Sequence, residues 1–210
     1  MRGLGRWVLA LAGAMLVLAA VAYAATITGT DGPDTLIGTN GNDTIRGRGG
    51  NDRIAGLSGN DRLYGNTDDD TINGDGSCPP GSTDPSYCDF GPNAGNGDDQ
   101  IFGGEGRDRV VAGPGTDRVQ GNADNDRIFG NRGNDRMNGD NGNDGIDGGR
   151  GDDLLRGGPG RDSVRGRAGN DTIYVRDGAK DQVDCGDGND TVVADNQDVV
   201  ASNCEHVHRR

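Results

Sequence analysis

An all-β solenoid is the fold class this chain predicts, and three observations carry the prediction. From Ala94 to Tyr174 the sequence reads in nines, with Asp at every sixth place and an aliphatic residue at every eighth. The first place is Gly or Ala, and the fourth is Gly throughout except Asp124. Self-similarity at a short fixed period marks a stack of like units, each covering its apolar side only against the next. Without the period, the composition would predict disorder. With 41 Gly, 4% aromatic and 30% hydrophobic residues, the chain has little apolar surface to offset ordering entropy.

Met1 to Ala24 has a basic start (Arg2, Arg6), an apolar run from Trp7 to Val21 and a small-x-small end at Ala22-Tyr23-Ala24. This predicts a secretory signal cleaved after Ala24, too short to be a typical spanning helix. A first array then begins at Gly29. It has Asp34, Asp43, Asp52, Asp61 and Asp70 at the sixth place, and Leu36, Ile45, Ile54, Leu63 and Ile72 at the eighth. Asp68 replaces Gly at one fourth place.

The period breaks from Gly74 to Asn93, a stretch holding Cys78, Cys88 and four prolines, which reads as a looped-out insertion across which the register is not simply continued. The second array resumes at Ala94. It carries Asp99, Asp108, Asp117, Asp126, Asp135, Asp144, Asp153, Asp162 and Asp171. Asp181 falls one residue out of step, preceded by Ala179 at the fourth place, and Asp190 restores the nine. The glycines then stop, and a solenoid end needs a cover. A last strand near Val199, pinned by Cys185 and Cys204, would supply it. The expected organisation is a signal at 1–24, arrays at 29–73 and 94–174, an insertion at 74–93, and degenerate repeats with a cap at 175–210. Four cysteines allow three pairings; 78–88 with 185–204 is favoured, because each pair is local to one irregular segment. Behind a secretory signal, disulfides are the expected state.

Six residues of each nine form a turn and three a short strand, so alternation sends the eighth place inward and the seventh and ninth outward. The acidic residues are all Asp except Glu105 and Glu205. So strong a preference for the shorter carboxylate points to side chains held against their own turns. Turn carbonyls and Asp carboxylates together offer hard oxygen ligands, while His and Cys are not periodic. That chemistry favours calcium, which accepts six to eight oxygens at loose geometry, over magnesium or a soft metal.

Gly148-Gly149-Arg150-Gly151-Asp152-Asp153-Leu154-Leu155 and Gly157-Gly158-Pro159-Gly160-Arg161-Asp162-Ser163-Val164 closely resemble G-G-x-G-x-D-x-U-x. This is the hemolysin-type calcium-binding nonapeptide of the repeats-in-toxin family. The resemblance covers most of residues 29 to 193. It implies a right-handed parallel β-roll with two short strands per coil, in which residues two units apart stack. It also implies calcium between a unit and the next but one, shared by sixth-place Asp. The implied ligands are the sixth-place residues named above, Asp34 to Asp70, Asp99 to Asp171 and Asp190. Asp181 is a weaker candidate, and Asp68 and Asp124 put their turns in doubt. One inward aliphatic per nine residues is small against the cost of ordering nine backbones, so metal binding should become folding energy.

The net charge of −13 argues against nucleic acid or an anionic membrane as partner and for cations. Arg interleaved with Asp, as at Asp52-Arg53 and Asp61-Arg62, reads as a mixed solvated face. No H-E-x-x-H or G-x-S-x-G occurs, and both His residues lie at the tail (His206, His208), so no enzyme is expected. The departures from the family are the N-terminal signal in place of a C-terminal export signal, and the lack of an apolar segment before the repeats. The first argues against the family's one-step export route, and the second means that toxin activity is not expected to carry over. A flat ice-binding face would need one residue type at a fixed place. The third place runs Asp31, Asn40, Gly49, Ser58, Thr67 and does not provide it. The expected function is a secreted calcium-binding module with a structural or adhesive role and an undefined protein or glycan partner. The alternatives are an ice-binding roll or an accessory remnant of a secreted hydrolase.

Overall fold

The computed structural model describes residues 24–75 and 97–209. Nearly all of the expected signal, and the expected Cys78–Cys88 pair, lie outside the described residues. Every regular element described is a strand. Before the insertion come β1 (Thr26–Thr28), β2 (Thr35–Ile37), β3 (Thr44–Arg48), β4 (Arg53–Leu57), β5 (Arg62–Thr67) and β6 (Thr71–Asp75). After it come β7 (Gln100–Glu105), β8 (Arg109–Pro114), β9 (Arg118–Ala123), β10 (Arg127–Arg132), β11 (Arg136–Asn141) and β12 (Gly145–Arg150). The last are β13 (Leu154–Arg156), β14 (Ser163–Ala168), β15 (Thr172–Tyr174), β16 (Gln182–Asp187), β17 (Thr191–Ala194), β18 (Val199–Val200) and β19 (His206–Arg209).

Odd-numbered strands form one parallel sheet and even-numbered strands the other. Each nonapeptide therefore crosses from one sheet to the other, and two make a coil, as expected of a β-roll. Register keeps like places together: Ile45 pairs with Leu63, Met137 with Leu155, and Ile54 with Ile72. The eighth-place side chains meet between the sheets in one core, most of them fully buried. No other place contributes a large apolar side chain as regularly, so the core is one residue thick in each sheet.

Two expectations need correction. The insertion does not start at Gly74, because Gly74 and Asp75 complete β6. Nor is the register lost across it: β5 pairs with β7 through Leu63 and Ile101, and β6 pairs with β8 through Ile72 and Val110. The two arrays are one continuous stack. The reason is visible in the sequence: Gly74-Asp75 followed by Asn96-Gly97-Asp98-Asp99 is itself a nonapeptide turn. The insertion thus splits one unit between its second and third places and leaves the ladder intact.

The turns doubted at Asp68 and Asp124 are kept. Both residues take positive φ, 78° and 75°, where glycines at that place reach 157°. Asp tolerates this region through its short polar side chain. At the end of the stack, Cys185 and Cys204 form a disulfide, with Cys185 fully buried. The edge strands β18 and β19 pair with β16 and β17.

Candidate metal centre

The turns place the sixth residue of each unit inside the roll. Asp117 and Asp190 are fully buried, and Asp52, Asp61, Asp99, Asp126, Asp135 and Asp171 are almost so. Each carboxylate reaches across one coil. Its Oδ1 accepts the backbone N–H of the Asp below it: Asp99 donates to Asp117 at 2.8 Å, Asp117 to Asp135 at 2.9 Å, and Asp108 to Asp126 at 2.8 Å.

Two files result. Along one edge run Asp43, Asp61, Asp99, Asp117, Asp135, Asp153, Asp171 and Asp190. Along the other run Asp34, Asp52, Asp70, Asp108, Asp126, Asp144 and Asp162. All the residues expected to bind metal fall in these files, and neighbours are two units apart. Asp181 also belongs, accepting from Asp162 at 2.8 Å; its offset is one extra residue in the preceding turn, absorbed before the strand. The first file closes on Glu205, which accepts from Asp190 at 2.9 Å, and the second on Asp198, which accepts from Asp181 at 3.1 Å. Sequence reasoning missed these two terminators, because neither stands in a recognisable nonapeptide.

The other oxygen is the informative one. In Asp34 and Asp43, Oδ2 accepts a second-place N–H, from Thr30 and Thr39, both at 2.5 Å. In Asp52, Asp61, Asp70 and every later sixth-place Asp through Asp190, Oδ2 is buried with no hydrogen-bond partner. Where the first place of the unit is Gly, it packs against that residue. A Cβ added at Gly121 would lie 2.3 Å from Asp126 Oδ2 and 2.6 Å from the Gly139 carbonyl oxygen of the next coil. Buried polar atoms are normally satisfied, so a recurring row of orphan carboxylate oxygens beside carbonyls marks a place for a cation. Asp75 joins this environment unforeseen, because a second-place Asp is outside the repeat pattern. It is buried, with Oδ2 accepting from Gly97 at 3.1 Å and Oδ1 unpartnered.

Electrostatics agree. Burial first, and then neighbouring carboxylates, push Asp61, Asp108 and Asp135 from 3.8 up to about 8, against the opposing pull of their backbone hydrogen bonds. Asp99, Asp126 and Asp153 rise to about 7 and Asp52 and Asp144 to about 6. Asp75 rises to about 9, through burial and then the charges of Asp99 and Asp117. In the absence of a cation, these groups compete for protons near neutral pH. Among the described residues no three His, Cys, Asp or Glu side chains converge to hold a metal on their own. A metal in the files would therefore need backbone carbonyls as well as carboxylates, which suits a hard cation with many oxygen ligands.

Comparison with protein families matches the RTX calcium-binding nonapeptide repeat over residues 28–63, 47–77, 93–119, 111–146 and 147–179. These spans cover well over half of the chain. The chain belongs to that family. Comparison with curated proteins finds no significant match. The RTX assignment and the roll together make this a calcium-binding structural module. They also account for the second glycine of the repeat. Second-place residues such as Gly104, Gly113 and Gly149 have φ of 130°, 129° and 112°. Where this chain substitutes Asn66, Asn122 or Asn131, positive φ persists at 82°, 80° and 78°. Among the described residues no helix is long and apolar enough to cross a membrane.

Proposed function

We propose that this RTX chain is a secreted module that folds as its turns take up several calcium ions. In this reading the ions are held by the sixth-place carboxylates of the two files, including Asp181. The observation that carries it is the row of buried, unpartnered Oδ2 atoms from Asp52 to Asp190. The donors fit the ion, since carboxylate and carbonyl oxygens are the ligands calcium takes. Bound calcium supplies positive charge between stacked carboxylates, and its binding free energy becomes folding free energy. The chain's own contribution is geometric. Oδ1 is tied to the neighbouring coil by an N–H, which leaves Oδ2 to face the turn. A structural or adhesive role outside the cell is the biological reading, supported by the signal-like N-terminus and the disulfide.

Isothermal titration of the metal-stripped chain with calcium tests the assignment. Several ions per chain, with stoichiometry falling when Asp117 and Asp135 are both changed to Asn, are expected. Unchanged stoichiometry in that variant would contradict it.

A further inference from the structure

Folding separates what the sequence interleaves. Each sixth-place Asp turns inward, and on the ten-stranded sheet the seventh and ninth places stay outside; on the nine-stranded sheet the expected outward ninth place does not hold for Ile37, Ala55, Asn73 and Val111, which are buried. On the ten-stranded sheet those two outward columns contain no Asp or Glu from β1 to β19, in a chain of net charge −13. They contain instead Arg46, Arg62, Arg118, Arg136 and Arg156, all exposed. None of these five makes an ion pair among the described residues. Arg118 and Arg136 are direct register partners, and like charges placed opposite are destabilising. Stability alone does not account for them.

The ninth-place column orients its cations. The Arg46 guanidinium lies 5.0 Å over the Tyr64 ring, which stacks on Phe102 at 5.0 Å with an interplanar angle of 6°. Arg156 lies 5.2 Å over Tyr174. Stacking fixes the guanidinium plane and leaves its N–H edge free to bind a carboxylate or sulfate in bidentate fashion. The opposite sheet also has a register pair, Arg109 with Arg127, and a stacked guanidinium, Arg109 at 5.3 Å over Phe129; it differs in that Asp147 and Asp184 stand in its outward column, where Asp147 is bound by Arg167 at 2.6 Å.

We infer that the outer face of the ten-stranded sheet binds an acidic polysaccharide, whose carboxylate or sulfate groups are taken by these arginines. The face is built of rungs roughly 4.8 Å apart, so it favours an extended ligand over a small molecule. Its cations are spread over many rungs, which suits a polymer with about one charge per sugar. The densely charged phosphates of duplex DNA would meet the repulsion of the whole acidic chain. The inference rests on the calcium reading only in that the face requires a folded roll.

The test titrates the full chain, in saturating calcium, with heparin and with polygalacturonate; neutral dextran and duplex DNA are controls. Both acidic polysaccharides should bind, with affinity falling as NaCl rises. The triple variant Arg118→Gln, Arg136→Gln, Arg156→Gln should lose ~10-fold or more and show a flatter salt dependence. Arg109→Gln with Arg127→Gln, on the other sheet, should stay within about 2-fold. Circular dichroism of each variant in calcium confirms that it is folded. No binding by the wild type, equal losses in the two variants, or equally tight binding of DNA or neutral dextran would overturn the inference. Repeating the titration in chelator separates the two readings: a roll that stays folded and binds without calcium would fail the calcium account and leave the face standing.

Discussion

Asp117 typifies what the sixth place asks of a side chain. Its Oδ1 accepts the Asp99 N–H at 2.8 Å and its Oδ2 is buried without a partner. Asp117→Asn keeps an acceptor for that N–H and removes the charge. With calcium present, the variant should lose ~1–3 kcal/mol of stability, as for a buried group deprived of its partner. In chelator at neutral pH there is no folded roll to destabilise, so the variant and the wild type should give the same coil-like spectrum. Urea titration in calcium and circular dichroism in chelator read the two outcomes. The fourth place is decided by backbone: Gly133 has φ 127°, and a Cβ there would fall on the Gly115 carbonyl oxygen. Gly133→Ala should cost at least ~2 kcal/mol in the same titration. Leu57 has the opposite problem, holding φ 88° at a second place with a bulky side chain. Leu57→Gly should gain up to ~1 kcal/mol, since the left-handed region strains Leu more than the added freedom of Gly costs.

At the scale of the element, burial inside the files shifts carboxylates together: Asp52 is pushed from 3.8 up to about 6, Asp99 to about 7 and Asp135 to about 8. Without metal the folded state therefore holds more protons than the unfolded chain. Its stability is greatest below about pH 4 and is lost as pH rises through 6 to 8. Acidifying the metal-free chain from pH 8 to 4.5 should raise its β signal, as far-UV circular dichroism would report. The cap is a separate device. Reducing Cys185–Cys204, which closes a separation of 19 residues, should remove ~3 kcal/mol and loosen the last strands first, as amide exchange would report. The strands and their inward residues were legible because Asp and aliphatic recur at fixed places. The terminators Asp198 and Glu205 were not, because a cap is defined by what it covers and carries no period of its own. Asp181 lay between these cases, since one added turn residue hides a place that the ladder restores.

For the molecule as a whole, the continuity of the stack across the insertion makes a sharp prediction. Deleting residues 76–95 joins Asp75 to Asn96 and recreates an uninterrupted unit ending at Asp99-Gln100-Ile101-Phe102. The shortened chain should fold in calcium with an unchanged or higher melting temperature, since a shorter loop closes at lower entropic cost. The sequence signalled the roll at this scale but misplaced the insertion's edges, because Gly74 and Asp75 look like loop residues until Asn96 and Gly97 are set beside them. It also hid the cationic face, because Asp-Arg neighbours in the chain end on opposite sides of a strand. The central claim is that calcium in the aspartate files folds this roll. Far-UV circular dichroism of residues 25–210, stripped of metal at neutral pH and titrated with calcium and separately with magnesium, tests it most directly. The account predicts a coil-like spectrum that converts to β with calcium, at roughly 10⁻⁴ to 10⁻³ M, and not with magnesium. A β spectrum already present without metal at pH 7 or above, and unmoved by calcium, would contradict it.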